Sequence, residues 1–279
     1  MMMNNFSSCL QSTHNRFLYT ILFLLSAFLN NAQIDTISFE LSPDNNMLIK
    51  AALNNTDTIL LMLHTAVNSV SLTTSALEKL EIGKELHETS VKSWGGTNNA
   101  GFLENNSLSI GDFSWDSIRM WIGELSGHGT DGKFGPNLFN DHYLQFDFES
   151  SHIYLHDDLP ELEGYDSFEM KSDRGSMFIS GNCFNGKEWH EQNFMIHTGY
   201  SGTILLDNEF AEKSNMNRLQ VTSESELRDS YGNVLKKKKA ILPKFNVGGY
   251  SFQDLPMGFF EGDIGNQKIS VLGGELIKR

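Results

Sequence analysis

Apolar and polar residues alternate with period two in short stretches, for example Leu108 to Trp115 and Tyr143-Leu144-Gln145-Phe146-Asp147-Phe148. Gly, Asn and Asp clusters break these stretches, and that combination is the mark of half-buried strands joined by turns. Two runs, Leu61-Met62-Leu63 and Phe194-Met195-Ile196, read as apolar strands, and each leads into a His-Thr pair, His64-Thr65 and His197-Thr198. Helical periodicity is brief: Thr74 to Leu80 after the first pair and Asn208 to Ser214 after the second. The pattern predicts an all-β protein.

The same plan is written twice, in four stations that keep their order. Phe39-Glu40-Leu41 with Met47-Leu48-Ile49 matches Phe168-Glu169-Met170 with Met177-Phe178-Ile179. Leu61 to Ala66 matches Phe194 to Gly199. Leu108, Ile110-Gly111, Phe113, Trp115 and Met120 match Phe245, Val247-Gly248, Tyr250, Phe252 and Met257. Phe134 to Phe139 matches Leu272 to Ile277. The spacing between copies grows along the chain, as loop insertions would make it. An acidic, Pro-containing stretch, Asp157-Asp158-Leu159-Pro160-Glu161, is the natural linker. The expected domains are 34–160 and 161–279.

Residues 1–32 read as a secretory signal: one charge, Arg16, precedes the uncharged apolar stretch Leu18 to Leu29, and cleavage is expected after Ala32. The stretch is too short to serve as a membrane span, and no second one is long enough. Export to the periplasm or the exterior is the expectation. Loss of residues 1–32 would remove Arg16 and no acid, taking the net charge from -14 to -15. Such a chain disfavours nucleic acid and anionic lipid as partners. Of the two cysteines, Cys9 falls in the signal, so Cys183 would stand alone, with no intrachain disulfide; an inert buried thiol is the expectation for it.

The doubled order of stations resembles the pepsin and retropepsin-like aspartic peptidases. Each lobe of those proteins carries an apolar strand ending in Asp-Thr-Gly, then a flap hairpin, then a strand with two apolar residues and a Gly that crosses behind the Asp-Thr-Gly loop. Here Trp94-Gly95-Gly96-Thr97 with Gly101-Phe102-Leu103 looks like the flap, with Trp94 as a cleft contact. Phe134-Gly135 and Val271-Leu272-Gly273 look like the crossing strands, although Lys133 departs from the apolar pattern. The resemblance implies two pseudo-symmetric β-barrel-like lobes about a central cleft, complete within one chain, so a monomer suffices. It further implies that Thr65 and Thr198 link the two loops through side-chain hydrogen bonds to the opposite backbone.

The chain departs from that family at the catalytic position. His64 and His197 stand where the resemblance places the catalytic Asp pair, and Ala66 stands where the first Gly belongs. Two carboxylates can share one proton and hold the attacking water; a neutral imidazole offers one acceptor and a protonated one a positive charge. The expected function is therefore a pseudo-peptidase that binds an extended peptide or protein ligand in the cleft, without a cofactor. One alternative is a hydrolase that uses the two histidines as base, with activity rising through about pH 6 to 7. Another is a metal site on the pair, with His128 or Asp131 as third ligand; a structural surface protein is a third. Trp115 is expected in the core, and Lys236 to Lys239 as a solvated hairpin arm. His152 and His156 share a strand face but stand too far apart to chelate.

Overall fold

The computed structural model describes residues 35–55, 57–80, 86–93, 96–123, 125–161, 163–228, 234–260 and 268–279. The expected signal segment, Trp94, Gly95 and residues 229–233 before the Lys236 run lie outside them. Nineteen strands are present among the described residues: β1 (Asp35–Ser38), β2 (Glu40–Leu41), β3 (Met47–Leu53), β4 (Asp57–Leu63), β5 (Val70–Thr73), β6 (His87–Ser93), β7 (Gly96–Ile110), β8 (Phe113–Gly123), β9 (Gly132–Phe134), β10 (Tyr143–Asp147) and β11 (His152–His156). The second half adds β12 (Lys171–Asp173), β13 (Ser176–Phe184), β14 (Trp189–His197), β15 (Ile204–Leu205), β16 (Val221–Arg228), β17 (Val234–Val247), β18 (Tyr250–Phe259) and β19 (Ser270–Gly273).

Two eight-stranded sheets contain most of these strands, ordered β2-β3-β4-β9-β5-β8-β7-β6 and β12-β13-β14-β19-β15-β18-β17-β16. Adding ten to each strand number converts one order into the other, including the extra pairings β3–β7 and β13–β17. The register repeats as well. Leu61, Met62 and Leu63 run parallel to Gly132, Lys133 and Phe134, and Phe194, Met195 and Ile196 run parallel to Ser270, Val271 and Leu272. The expected all-β architecture in two matched lobes is the observed one. A third, three-stranded sheet, β1-β11-β10, packs Ile37, Ile153 and Leu155 against the core of the first lobe.

Three short α-helices are present among the described residues: α1 (Thr74–Lys79), α2 (Asn208–Lys213) and α3 (Gly274–Ile277). The first two sit where brief helical periodicity predicts them, each opened by a side chain that accepts from a first-turn amide. Thr73 Oγ1 accepts from the Ala76 N–H (3.1 Å) and Asp207 Oδ1 from the Phe210 N–H (2.8 Å). No helix among the described residues is long and apolar enough to cross a membrane.

The first station differs in detail from its sequence alignment. Leu41 pairs with Met47, and Ser172, not Met170, occupies the matching place opposite Met177. Phe39 is buried, whereas Phe168 and Met170 are about half exposed. The apolar doublet repeats in sequence, but the hairpin loop is longer in the first copy, and loop length sets which residues face each other.

Strands β9 and β19 each thread between a parallel and an antiparallel neighbour, close behind the His-Thr loops. Glycine is required there by close approach. A Cβ on Gly135 would coincide with the Val67 carbonyl oxygen, and one on Gly273 with that of Gly202. Gly135→Ala and Gly273→Ala should each lower stability by about 3 kcal/mol, the upper range for overpacking, because backbone must move to admit the methyl. Urea denaturation of each variant measures this.

Candidate functional site

The loops after β4 and β14 meet at the pseudo-twofold axis. Each is a tight turn, closed by the Val67 N–H donating to the His64 carbonyl (3.2 Å) and the Tyr200 N–H to the His197 carbonyl (3.0 Å). The crossing strand holds the first from behind, since the His64 N–H donates to the Phe134 carbonyl at 2.9 Å. Both His-Thr pairs are buried.

The threonines exchange four hydrogen bonds across the lobes. Thr65 Oγ1 donates to the Ile196 carbonyl (2.6 Å) and accepts the Thr198 N–H (3.1 Å). Thr198 Oγ1 donates to the Leu63 carbonyl (2.7 Å) and accepts the Thr65 N–H (3.1 Å). Each hydroxyl is thus used as donor and as acceptor, and buried main-chain groups of both loops are satisfied by the opposite lobe. Hairpin turns extend the contact in the same pseudo-symmetric manner. Asn45 and Asn46 donate to the carbonyls of Ser201 and Thr198, while Asn68, matched to Ser201, donates to the Arg174 carbonyl.

The two imidazoles face each other with ring centroids 4.6 Å apart and planes inclined at 56°. Gly199 is needed for this: a Cβ there would collide with Cδ2 and Nε2 of His64. Ala66, at the matching place in the first loop, packs its methyl against the second lobe's cluster of Met195, Tyr200, Leu205, Leu235, Phe260 and Val271. The asymmetry between His-Thr-Ala and His-Thr-Gly therefore has a packing cause.

Burial is the main force on the titration of both rings, and it favours the uncharged form. His64 is held well below the ordinary histidine range by desolvation, then by His197 and by the charge of Lys133. Desolvation brings His197 to about 4, with Lys133 again adding to the depression. The Ala66 N–H donates to His64 Nδ1 (3.2 Å), so neutral His64 carries its proton on Nε2. The Nδ1 lone pair is occupied, and Nε2 is a donor. The expected activity window of pH 6 to 7 for a histidine base is displaced downwards, because an imidazole excluded from water loses its proton earlier.

The remaining candidates are dispersed. Trp94 and Gly95 lie outside the described residues, and Gly96 opens β7 opposite Ser93. Trp115 packs on the first core and makes an edge contact with Phe139. His152 and His156 share one side of β11, where His156 Nε2 is 2.9 Å from Gln145 Oε1. No group of three His, Cys, Asp or Glu able to hold a metal is present among the described residues. Asp131 is engaged elsewhere, accepting the Leu60 N–H (2.8 Å) and facing Lys79, and His128 is exposed. The Cys183 thiol is fully buried and pushed up to about 12, which makes it inert.

Sequence reasoning missed Lys237. A run of four lysines reads as a wet strand, but β17 alternates, and Lys237 turns inward while Lys236 stays exposed. Its ammonium donates to the Tyr200 hydroxyl (3.1 Å) and lies 4.6 Å from the centroid of that ring. Period two over Leu235-Lys236-Lys237 was the available signal, a short one because the buried positions shift to Ala240 and Leu242 further along β17.

No protein-family model matches the chain, and a search of curated proteins found no match. Among solved structures, a retropepsin-like aspartic protease from Rickettsia conorii is similar, with 22% identity and a TM-score of 0.34 over 44% of this chain and 91% of that one.

Two measurements test the site. Thr65→Val or Thr198→Val strands one amide and one carbonyl in the interior, so each should cost about 2 to 4 kcal/mol. The double variant should cost less than the sum, because the first loss already admits water between the loops. For pH, the folded state binds fewer protons than the unfolded state between about 4 and 6.5, so stability is complete above 6.5 and falls as pH drops through that window. His197 alone accounts for roughly 3 kcal/mol of that loss. Thermal melts from pH 7 to 4 should show it, and a His64→Asn/His197→Asn variant should give a flatter profile.

Proposed function

We propose that this chain is an exported pseudo-peptidase that binds an extended peptide in the cleft between its lobes. The observation that carries the reading is the contrast at the axis. The threonine exchange that joins the loops is complete, while the position that needs a shared proton between carboxylates holds two buried neutral imidazoles. A dyad of this kind has no anionic pair to hold and deprotonate water. The sheet edges favour the binding half of the reading. Strands β6 and β16 end their sheets, each paired on one side only, and β16 is largely exposed. Such edges offer main-chain groups to an extended peptide, with side-chain pockets to choose among sequences.

One observation favours a hydrolase as second reading: an imidazole brought to about 4 is available as a base across the neutral range. A base that weak draws little force for removing a proton from water, so the reading ranks second.

The protein should bind members of a broad peptide library saturably and cleave none between pH 3 and 8. His64→Asp/His197→Asp should gain cleavage with an acid optimum. Hydrolysis by the unaltered chain that rises from pH 4 upward and disappears in His197→Ala would establish the hydrolase instead. Detection of the chain in culture medium or periplasmic extract, shortened by about the first 32 residues, tests export.

A further inference from the structure

The two copies differ in charge at one matched position beside the histidines. In the second lobe Val271 lies opposite Met195 and is buried in the cluster with Tyr200, Leu235 and Phe260. In the first lobe the same register places Lys133 opposite Met62. Its neighbour Phe134 turns into the first core. Alternation therefore sends the Lys133 side chain out from the other face of β9, the face that Val271 uses for the axial cluster. The Lys133 charge reaches both imidazoles.

A second cation lies against the turn that follows His197. Lys237 is 8% exposed, and its ammonium donates to the Tyr200 hydroxyl, on the turn that His197 begins. His64 presents Nε2–H as a donor because Nδ1 is occupied by the Ala66 amide. Donors and positive charge thus gather at the middle of a chain whose net charge is -14. An ionised carboxylate is an acceptor only, and it gains most from a donor and an ammonium held out of water.

We propose that the ligand segment lying against His64 and His197 carries a carboxylate, so that the cleft selects acidic peptides. This rests on the peptide-binding reading above. The carboxylate belongs to an Asp or Glu side chain or to a peptide C-terminus, and the test separates the two.

The probes are N-acetylated, C-amidated peptides differing only in a central Glu or Gln, the Gln peptide with a free C-terminus, and N-acetylglutamate amide. Calorimetry with the full chain should give roughly tenfold tighter binding for the Glu peptide than for the Gln peptide, the worth of one charge-assisted contact. Tighter binding of the free-terminus peptide instead assigns the carboxylate to the C-terminus, and the inference stands. Lys133→Val, which installs the residue used by the second lobe, should bring Glu and Gln binding to within twofold at an unchanged melting temperature. Lys133→Arg should keep the preference. Equal binding of all three peptides overturns the inference and leaves the peptide-binding reading intact, and a preference that survives Lys133→Val overturns the role of the lysine. If no peptide binds but N-acetylglutamate amide shifts the histidine ring resonances, the extended-peptide reading fails and the carboxylate site stands. If neither binds, both fail.

Discussion

The two hydroxyls of Thr65 and Thr198 hold the centre of this molecule together. Each satisfies a main-chain amide and a main-chain carbonyl of the opposite lobe, in a place that water does not reach. Without that exchange, two loops from separate sheets would meet with unpaired polar backbone between them, a cost of several kcal/mol. The orientation of both imidazoles follows from the position of these loops. So does the need for glycine at 199, where His64 lies over the backbone, and at 135 and 273, where crossing strands press against the turns from behind.

The repeated sheet topology explains why the exchange is reciprocal. Two sheets with one strand order and one register at β4–β9 and β14–β19 bring equivalent residues to a common axis. Positions on the axis can then diverge singly, with chemical consequences. Ala66 against Gly199 decides which loop packs a methyl on the other lobe and which leaves room for the opposite imidazole. Lys133 against Val271 changes the charge beside the histidines, so that one lobe contributes an apolar contact and the other an ammonium.

The axis is a desolvated place, and desolvation is the largest influence on its titrating groups. It keeps His64 and His197 uncharged, lowers Lys237 to about 8 and raises Tyr200, whose hydroxyl thereby resists ionisation. The Lys237 ammonium there is held by the Tyr200 hydroxyl and ring. An arrangement of neutral imidazoles and lysines is opposite in sign to a pair of carboxylates.

The amino-acid sequence by itself indicated the strand content, the doubled order of apolar stations and the places of the two short helices. Period-two alternation, turn residues and brief helical periodicity are local, and local signals survive without knowledge of partners. It did not determine the register of the first hairpin, where Met170 yields its expected place to Ser172, because facing residues are fixed by loop length and by what lies across the sheet. Nor did it reveal that Lys237 turns inward or that the His64 proton sits on Nε2. Those depend on burial and on a neighbour's amide, and only the tertiary structure decides how far a side chain stands from water and from the groups of the other lobe.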